Sequence, residues 1–167
     1  LAALVYNYGY FTLLAYAPFP VAEASIRAGG QFTPLDLGLV FFGWGLMVAL
    51  GSVWLGPRGC EHVGIRRTVA VTMILFTIDE IVLATWISPI PQEIGVVLGG
   101  LLIGIINTAM TEIVMSASDI QREVASSAYS GVRFLGGACA PTLAGALSSM
   151  WGIGGPYYIG AVALVLT

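Results

Sequence analysis

The chain has 167 residues, of which 57% are hydrophobic and 9% are charged, with a net charge of −3. An ordinary soluble domain carries about 25% charged residues, so this composition and a mean hydropathy of +0.91 exclude that class. All six cations are arginines without an extended cluster, which excludes a basic nucleic-acid surface. One histidine and two cysteines lack any metal-ligand spacing, so the sequence predicts no metal and no other cofactor.

Apolar runs dominate the chain from one end to the other. An apolar helix needs about 20 residues to cross the hydrocarbon core of a bilayer. Six runs reach or approach that length: 1–21, 35–55, 68–87, 93–116, 124–147 and 156–167. The helices of a soluble all-α protein would carry charged faces, whereas these runs are apolar nearly all round. The sequence therefore predicts an all-α membrane protein with six transmembrane helices.

Short joints separate these predicted helices. Four of them contain Gly or Pro, which interrupt regular structure, and the fifth is polar; they cover 28–34, 56–64, 88–91, 152–156 and 117–123. The first run also contains the break Pro18-Phe19-Pro20, where proline removes backbone donors. The chain begins inside an apolar run and its last run is cut short. We therefore expect residues 1–167 to be a piece of a longer polypeptide.

The arginines predict an orientation. Arg58, Arg66 and Arg67 lie between the second and third predicted helices, and Arg122 lies between the fourth and fifth. If the helices alternate in direction, these two joints share one side of the membrane, and the other side holds only Arg27. The positive-inside rule makes the arginine-rich side cytoplasmic. Both ends of the chain then lie in the cytoplasm as well.

Arg133 lies well inside the fifth predicted helix. A charge near the middle of a bilayer costs roughly 3 kcal/mol on insertion scales, so it calls for a partner or a function. Tyr129 precedes Arg133 by four residues and shares its helical face. Glu112, late in the fourth helix, lies at a similar depth and is the predicted ion-pair partner. That pair either changes during function or only fixes helix packing.

Asp79 is a second intramembrane charge. It lies about 11 residues into the third predicted helix, near mid-membrane by the ~1.5 Å helical rise, and Glu80 follows on a face rotated by about 100°. A proton carrier and a helix contact are equally open roles for Asp79. His62 falls in the second joint, where a solvated side chain is expected rather than a proton relay.

Small residues recur late in the fifth predicted helix. Gly136, Ala140, Pro141, Ala144 and Gly145 keep one face flat for close packing, while the proline bends or loosens the helix. The run predicts a tightly packed, deformable helix and by itself names no substrate.

At these residues the chain resembles the C-terminal six-helix half of a major facilitator superfamily transporter. The joint 56–67, with Arg58 and the ending Gly64-Ile65-Arg66-Arg67, is similar to the second copy of that family's cytoplasmic-loop motif, without its usual aspartate. The small-residue run resembles a relaxed form of the family's antiporter motif. The runs 6–20, 107–115 and 125–141 are similar to a bacterial subgroup of drug:proton antiporters.

The resemblance implies a fold and a function. It implies that residues 1–167 are one six-helix repeat in the cell (inner) membrane, with a substrate cavity between this half and an N-terminal half. It further implies secondary transport by alternating access, as proton-coupled efflux of a small organic solute. The expected partners are that solute, protons, the lipid bilayer and the N-terminal half. The residues expected at the cavity, its gates or the coupling charges are Tyr6, Tyr10, Asn107, Glu112, Tyr129 and Arg133, with Asp79 toward the periphery.

Two other functions stay open at this point. The chain could be a non-transporting packing or assembly module, in which the buried charges only fix helix register. A six-helix intramembrane enzyme would need a nucleophile and a base within hydrogen-bond reach. Ser130-Gly131 could supply half of such a site, but His62 is the only histidine and falls in a joint. The sequence therefore predicts that the chain is not an enzyme.

Overall fold

The computed structural model describes residues 2–116 and 122–166, and its regular structure within these ranges is helical. The helices are α1 (Ala2–Tyr16), α2 (Pro18–Arg27), α3 (Pro34–Leu50), a π-helical segment (Gly51–Leu55), α4 (Gly56–His62), α5 (Ile65–Thr85), α6 (Pro89–Ser116), α7 (Arg122–Trp151) and α8 (Gly155–Val165). The prediction of an all-α protein is confirmed.

Three helical stretches are long and apolar enough to cross a membrane. They are Pro34–His62, Ile65–Thr85 and Pro89–Ser116. They contain the second and fourth predicted segments and all but the last two residues of the third. The first predicted segment is divided between α1 and α2, because Pro18 and Pro20 supply no backbone N–H at this point.

The second joint differs from its prediction. We expected a loop over 56–64, but the chain stays helical to His62 through the π-helical segment and α4. The glycines explain the difference, because Gly51 brings its backbone against α6, where any Cβ would overlap the carbonyl of Leu101. This close approach holds the helix on α6 through the joint. The turn is reduced to Val63 and Gly64, whose φ of 93° favours glycine.

The other joints are also shorter than predicted. The third ends at Ser88, because Pro89 opens α6 at a position where proline is tolerated. The first joint ends at Thr33, which caps α3 by accepting from the backbone N–H of Asp36. The last ends before Gly155, where α8 begins. Residues 117–121 of the polar joint lie outside the described residues.

The helices pack as one bundle with two sides, which meet mainly where α5 contacts α8. Helix α1 packs against α7 and α8, while α6 packs against α3 and α5, and α5 also contacts α8. The core includes the fully buried side chains of Tyr6, Leu13, Phe76, Ile103 and Tyr157. Helix α3 buries none of its residues and leaves Leu35, Leu39, Phe42 and Leu46 exposed. This apolar face is suited to contact with lipid or with another apolar surface.

Candidate functional site

Arg133 is the centre of a polar cluster inside the bundle. Its Nη2 donates to Oδ1 of Asn107 at 2.9 Å, and its Nε donates to Oδ1 of Asn7 at 3.3 Å. The guanidinium carbon lies 5.5 Å from the ring centroid of Tyr129, within the range of a cation–π interaction. The tyrosine is four residues earlier on the same helix, as the sequence predicted. Arg133 thus connects α7 to both α6 and α1.

Tyr6 completes this cluster from α1. Its hydroxyl donates to Oδ1 of Asn107 at 3.0 Å, so a single amide oxygen accepts from both the phenol and the guanidinium. Tyr6 is fully buried, which makes the bond costly to lose because no water can replace the partner. The ring of Tyr10 stacks on that of Tyr6 with centroids 6.4 Å apart. We call Tyr6, Asn7, Asn107, Tyr129 and Arg133 the Arg133 cluster.

The Arg133 cluster holds a cation with neutral groups. Its acceptors are two amide oxygens and the face of one aromatic ring. Among the side chains that the structure describes, the one ion pair joins Arg27 to Glu23 at 2.7 Å on the surface. The positive charge of Arg133 is therefore oriented by dipoles, and no described carboxylate cancels it. Arg133 remains half-buried, so a negatively charged or electron-rich group can still approach it.

The predicted ion pair between Glu112 and Arg133 is not formed in this structure. Asn107 is the α6 residue that faces Arg133, and Glu112 follows it by five residues, which is a rotation of about 140° around the helix. Glu112 is exposed and interacts electrostatically with the thiol of Cys60 on α4. Glu112 also lies about 7.5 Å further along the α6 axis than Asn107, the residue that bonds to Arg133.

Asn7 is the member of the Arg133 cluster that the sequence did not assign to a site. It is fully buried and lies between two tyrosines in an otherwise apolar run. An amide inside an apolar helix needs hydrogen-bond partners within the protein. That requirement, applied to Asn7 and Asn107 together, is the signal that could have linked α1 to α6.

Asp79 lies outside the Arg133 cluster, at the contact between α5 and α6. Gly95 and Gly99 make room for its carboxyl group: a Cβ on Gly99 would lie 3.0 Å from Oδ2 of Asp79. That oxygen is buried and has no hydrogen-bond partner among the described residues. Gly99 precedes Asn107 by eight residues on α6, which is about 12 Å along the helix axis. The bundle therefore contains two polar sites at different depths, the Arg133 cluster and the carboxyl group of Asp79.

The small-residue run on α7 divides between two faces. Gly136, Ala140 and Ala144 are buried at intervals of four residues, whereas Pro141 and Gly145 are exposed. The exposed pair contributes to a cleft of about 580 Å³ that is also lined by Tyr16, Phe19, Glu23 and Ser148. Helix α7 continues through Pro141 to Trp151.

The arginines of the second joint lie at the surface. The guanidinium carbon of Arg58 sits 4.6 Å from the ring centroid of Trp54, and Arg66 and Arg67 are exposed at the start of α5. His62 lies on α4, where its Nδ1 is 3.0 Å from the carbonyl oxygen of Arg58. The placement of His62 in a loop was therefore wrong, although its side chain is exposed as expected. Within the described ranges, no group of three His, Cys, Asp or Glu residues could hold a metal ion.

The fold and the cluster together define an all-helical protein with helices able to cross a membrane and with an arginine inside its helical bundle. Over 164 residues, or 98% of its length, the chain is 38% identical to the multidrug efflux protein YfmO of Bacillus subtilis (strain 168). The chain spans 39% of the length of that relative. No family model matches the chain, and no solved structure matches it.

Proposed function

We propose that the chain is the C-terminal six-helix half of a membrane transporter that exports small organic solutes. The similarity to a multidrug efflux protein over 98% of the chain supports efflux. Three helices long and apolar enough to cross a membrane support a membrane location. The relative is more than twice as long as the chain, which leaves room for a second, N-terminal half with which this half encloses a cavity.

The hydrogen-bonded Arg133 is the observation that carries this proposal. A guanidinium inside an apolar bundle is costly, and a purely structural cation would be best placed against a carboxylate. Arg133 instead bonds to the amide oxygens of Asn7 and Asn107 on two other helices. Neutral acceptors hold the charge less tightly than an ion pair does. They therefore leave it available to a solute or to an acid of the other half.

Alternating access supplies the mechanism. In that mechanism helices α1, α6 and α7 change their relative positions around the solute. Any sliding of α7 must break one or both bonds of Arg133, because their acceptors belong to different helices. The half-buried ring of Tyr10, which stacks on the buried ring of Tyr6, provides an aromatic surface for a planar or amphipathic solute. Proton coupling supplies the energy for uphill export.

The orientation follows from the arginine distribution. The exposed Arg66 and Arg67 at the start of α5 favour a cytoplasmic position for that helix end in the cell membrane. Both ends of the chain then lie in the cytoplasm. The exposed apolar face of α3 is available to lipid or to the N-terminal half.

Transport by the full-length protein in proteoliposomes tests the proposal, with ethidium as the fluorescent probe. We expect a proton gradient to drive ethidium against its concentration gradient, and the Arg133→Gln variant to lose at least tenfold of that rate. Arg27→Gln is the matched control, because Arg27 forms an exposed ion pair at 2.7 Å outside the Arg133 cluster. Normal export by Arg133→Gln would overturn the role of the cluster. No export by the unmodified protein, with ethidium or with a wider panel of organic solutes, would overturn the function.

A further inference from the structure

Glu80 is the most completely buried acid among the described residues, and the Arg133 cluster does not use it. It follows Asp79 on α5 but faces another way, and its side chain has no exposed surface. Neither Oε1 nor Oε2 has a hydrogen-bond partner among the described residues. A carboxylate without a donor in such a place costs far more than a neutral carboxyl group. The pocket as it stands therefore suits the protonated acid.

The pocket around Glu80 is built by three helices. On α8, Gly160 makes room for the carboxyl group, since a Cβ there would lie 2.9 Å from Oε2. Tyr157 of α8 and Tyr8 of α1 interact electrostatically with Glu80. Their hydroxyl oxygens are buried and also lack partners among the described residues. Among the described residues, no hydrogen bond joins either phenol to the carboxyl group of Glu80.

Among the residues that the structure describes, no cation acts on Glu80. On the same helix, the neighbouring charge is Asp79, whose electrostatic effect on Glu80 is repulsive. From α8 the titratable group is Tyr157, and from α1 it is Tyr8. From α7, the exposed Cys139 interacts electrostatically with Tyr8. A negative charge on Glu80 therefore needs phenol hydroxyls that turn to donate, or water that enters when the helices separate.

We propose that Glu80 is the proton-binding carboxyl group of this transporter half, in a pocket that α1, α5 and α8 close together. This rests on the proposed function for its coupling to export. Closed packing holds the proton, and separation of α1 or α8 from α5 admits donors that stabilise the carboxylate and release the proton. Helix α1 contacts both sites, because Asn7 accepts from Arg133 and Gly9 packs against Gly160, which makes room for Glu80: a Cβ on Gly9 would lie 3.3 Å from the carbonyl oxygen of Gly160. A shift of α1 therefore acts on the cation and on the acid together.

The position of Glu80 fits proton entry from the outer side. Glu80 precedes the Thr85 end of α5 by five residues, or about 7.5 Å along the axis. Arg66 and Arg67 mark the opposite, cytoplasmic end in the proposed orientation. An exporter driven by inward proton flow takes its protons from outside the cell. In this orientation Glu80 lies nearer the outer end than the Arg133 cluster does. It is therefore the better placed of the two sites to receive protons.

Two measurements on the full-length protein test this proposal. The first is labelling with dicyclohexylcarbodiimide, which reacts with protonated carboxyl groups in apolar surroundings, followed by peptide mapping. We expect the label on Glu80 and a loss of labelling as the pH is raised. The second is proton release when ethidium binds to the protein in weakly buffered detergent solution. We expect release by the unmodified protein and by the variant Glu61→Gln, whose side chain is exposed, and loss of release by Glu80→Gln with ethidium binding retained.

The outcomes separate this proposal from the proposed function. Export by the unmodified protein together with normal proton release by Glu80→Gln would overturn the assignment, as would loss of release in Asp79→Asn alone. If Glu80→Gln does not fold, labelling of the unmodified protein decides, and an unlabelled Glu80 at acidic pH overturns the proposal. If the unmodified protein exports no solute, the transport function fails. A pH-dependent label on Glu80 would then still support the proton-binding pocket.

Discussion

Arg133 and Asn107 are 26 residues apart in the sequence, and a 2.9 Å hydrogen bond joins them across the contact between α7 and α6. The same amide oxygen also accepts from the hydroxyl of Tyr6 on α1. Three helices therefore meet at one atom, Oδ1 of Asn107. Since this acceptor is neutral, its bond to the guanidinium is weaker than an ion pair and easier to exchange.

Replacing Asn107 by Asp tests whether that exchange matters. The variant places a carboxylate where the amide oxygen accepts from Arg133, and charge-assisted bonds are roughly twice as strong as neutral ones. We expect a higher melting temperature in detergent and a transport rate lowered about tenfold, because α6 and α7 are held together. Thermal unfolding and ethidium export on the same preparations measure both effects. Unchanged transport with raised stability would show that the bond does not have to break during the cycle.

Removing the hydroxyl of Tyr6 tests a single hydrogen bond of the Arg133 cluster. Tyr6→Phe removes the 3.0 Å bond to Asn107 and leaves the buried ring in place. A hydrogen bond between membrane helices contributes about 1 kcal/mol, so we expect the free energy of unfolding to fall by about that amount. Tyr158→Phe is the matched control, because Tyr158 is 42% exposed. An equal effect in both variants would mean that the bond adds nothing specific to stability.

Much of the fold could be predicted from apolar length alone. Runs of about 20 apolar residues specify helices whatever they pack against, and five of the six predicted segments lie largely within single continuous helical stretches. Continuity through 56–62 could not be predicted in this way. It depends on Gly51 approaching the backbone of α6, a contact between distant parts of the chain. Glycines that usually mark a turn here permit close packing instead.

The rotation of each helix about its axis was the weaker part of the prediction. Helices that are apolar on every side do not reveal from sequence which face is buried. Tyr129 and Arg133 could be placed together because they share one helix, four residues apart. The sequence could not predict whether Glu112 lies on the side of α6 that contacts α7, because this depends on the rotation of α6 about its own axis. Glu80 was passed over for the same reason, since burial against α8 distinguishes it from Asp79.

The contact between Phe11 and Gly137 yields a prediction on packing. The ring of Phe11 occupies the position that a Cβ on Gly137 would take, so Gly137→Ala forces α1 and α7 apart. Overpacking of this kind costs about 1–3 kcal/mol. Gly145 lies on the same helix, and a Cβ added there would meet nothing within 4 Å, so Gly145→Ala is expected to stabilise slightly. Melting temperatures that change equally in the two variants would contradict the close α1–α7 contact.

Gln92 of α6 caps the end of α5, next to the turn between the two helices. It is fully buried, and its Nε2 donates to the carbonyl oxygens of Leu83 at 2.7 Å and Trp86 at 3.0 Å. These carbonyls belong to the end of α5, where the helix leaves its last acceptors without intrahelical donors. Gln92→Leu removes both bonds at similar volume, so we expect the free energy of unfolding to fall by about 1–3 kcal/mol. Thermal unfolding of the full-length protein in detergent measures the loss, with the exposed Gln31→Leu as control. Equal stability of the two variants would show that another donor takes over the end of α5.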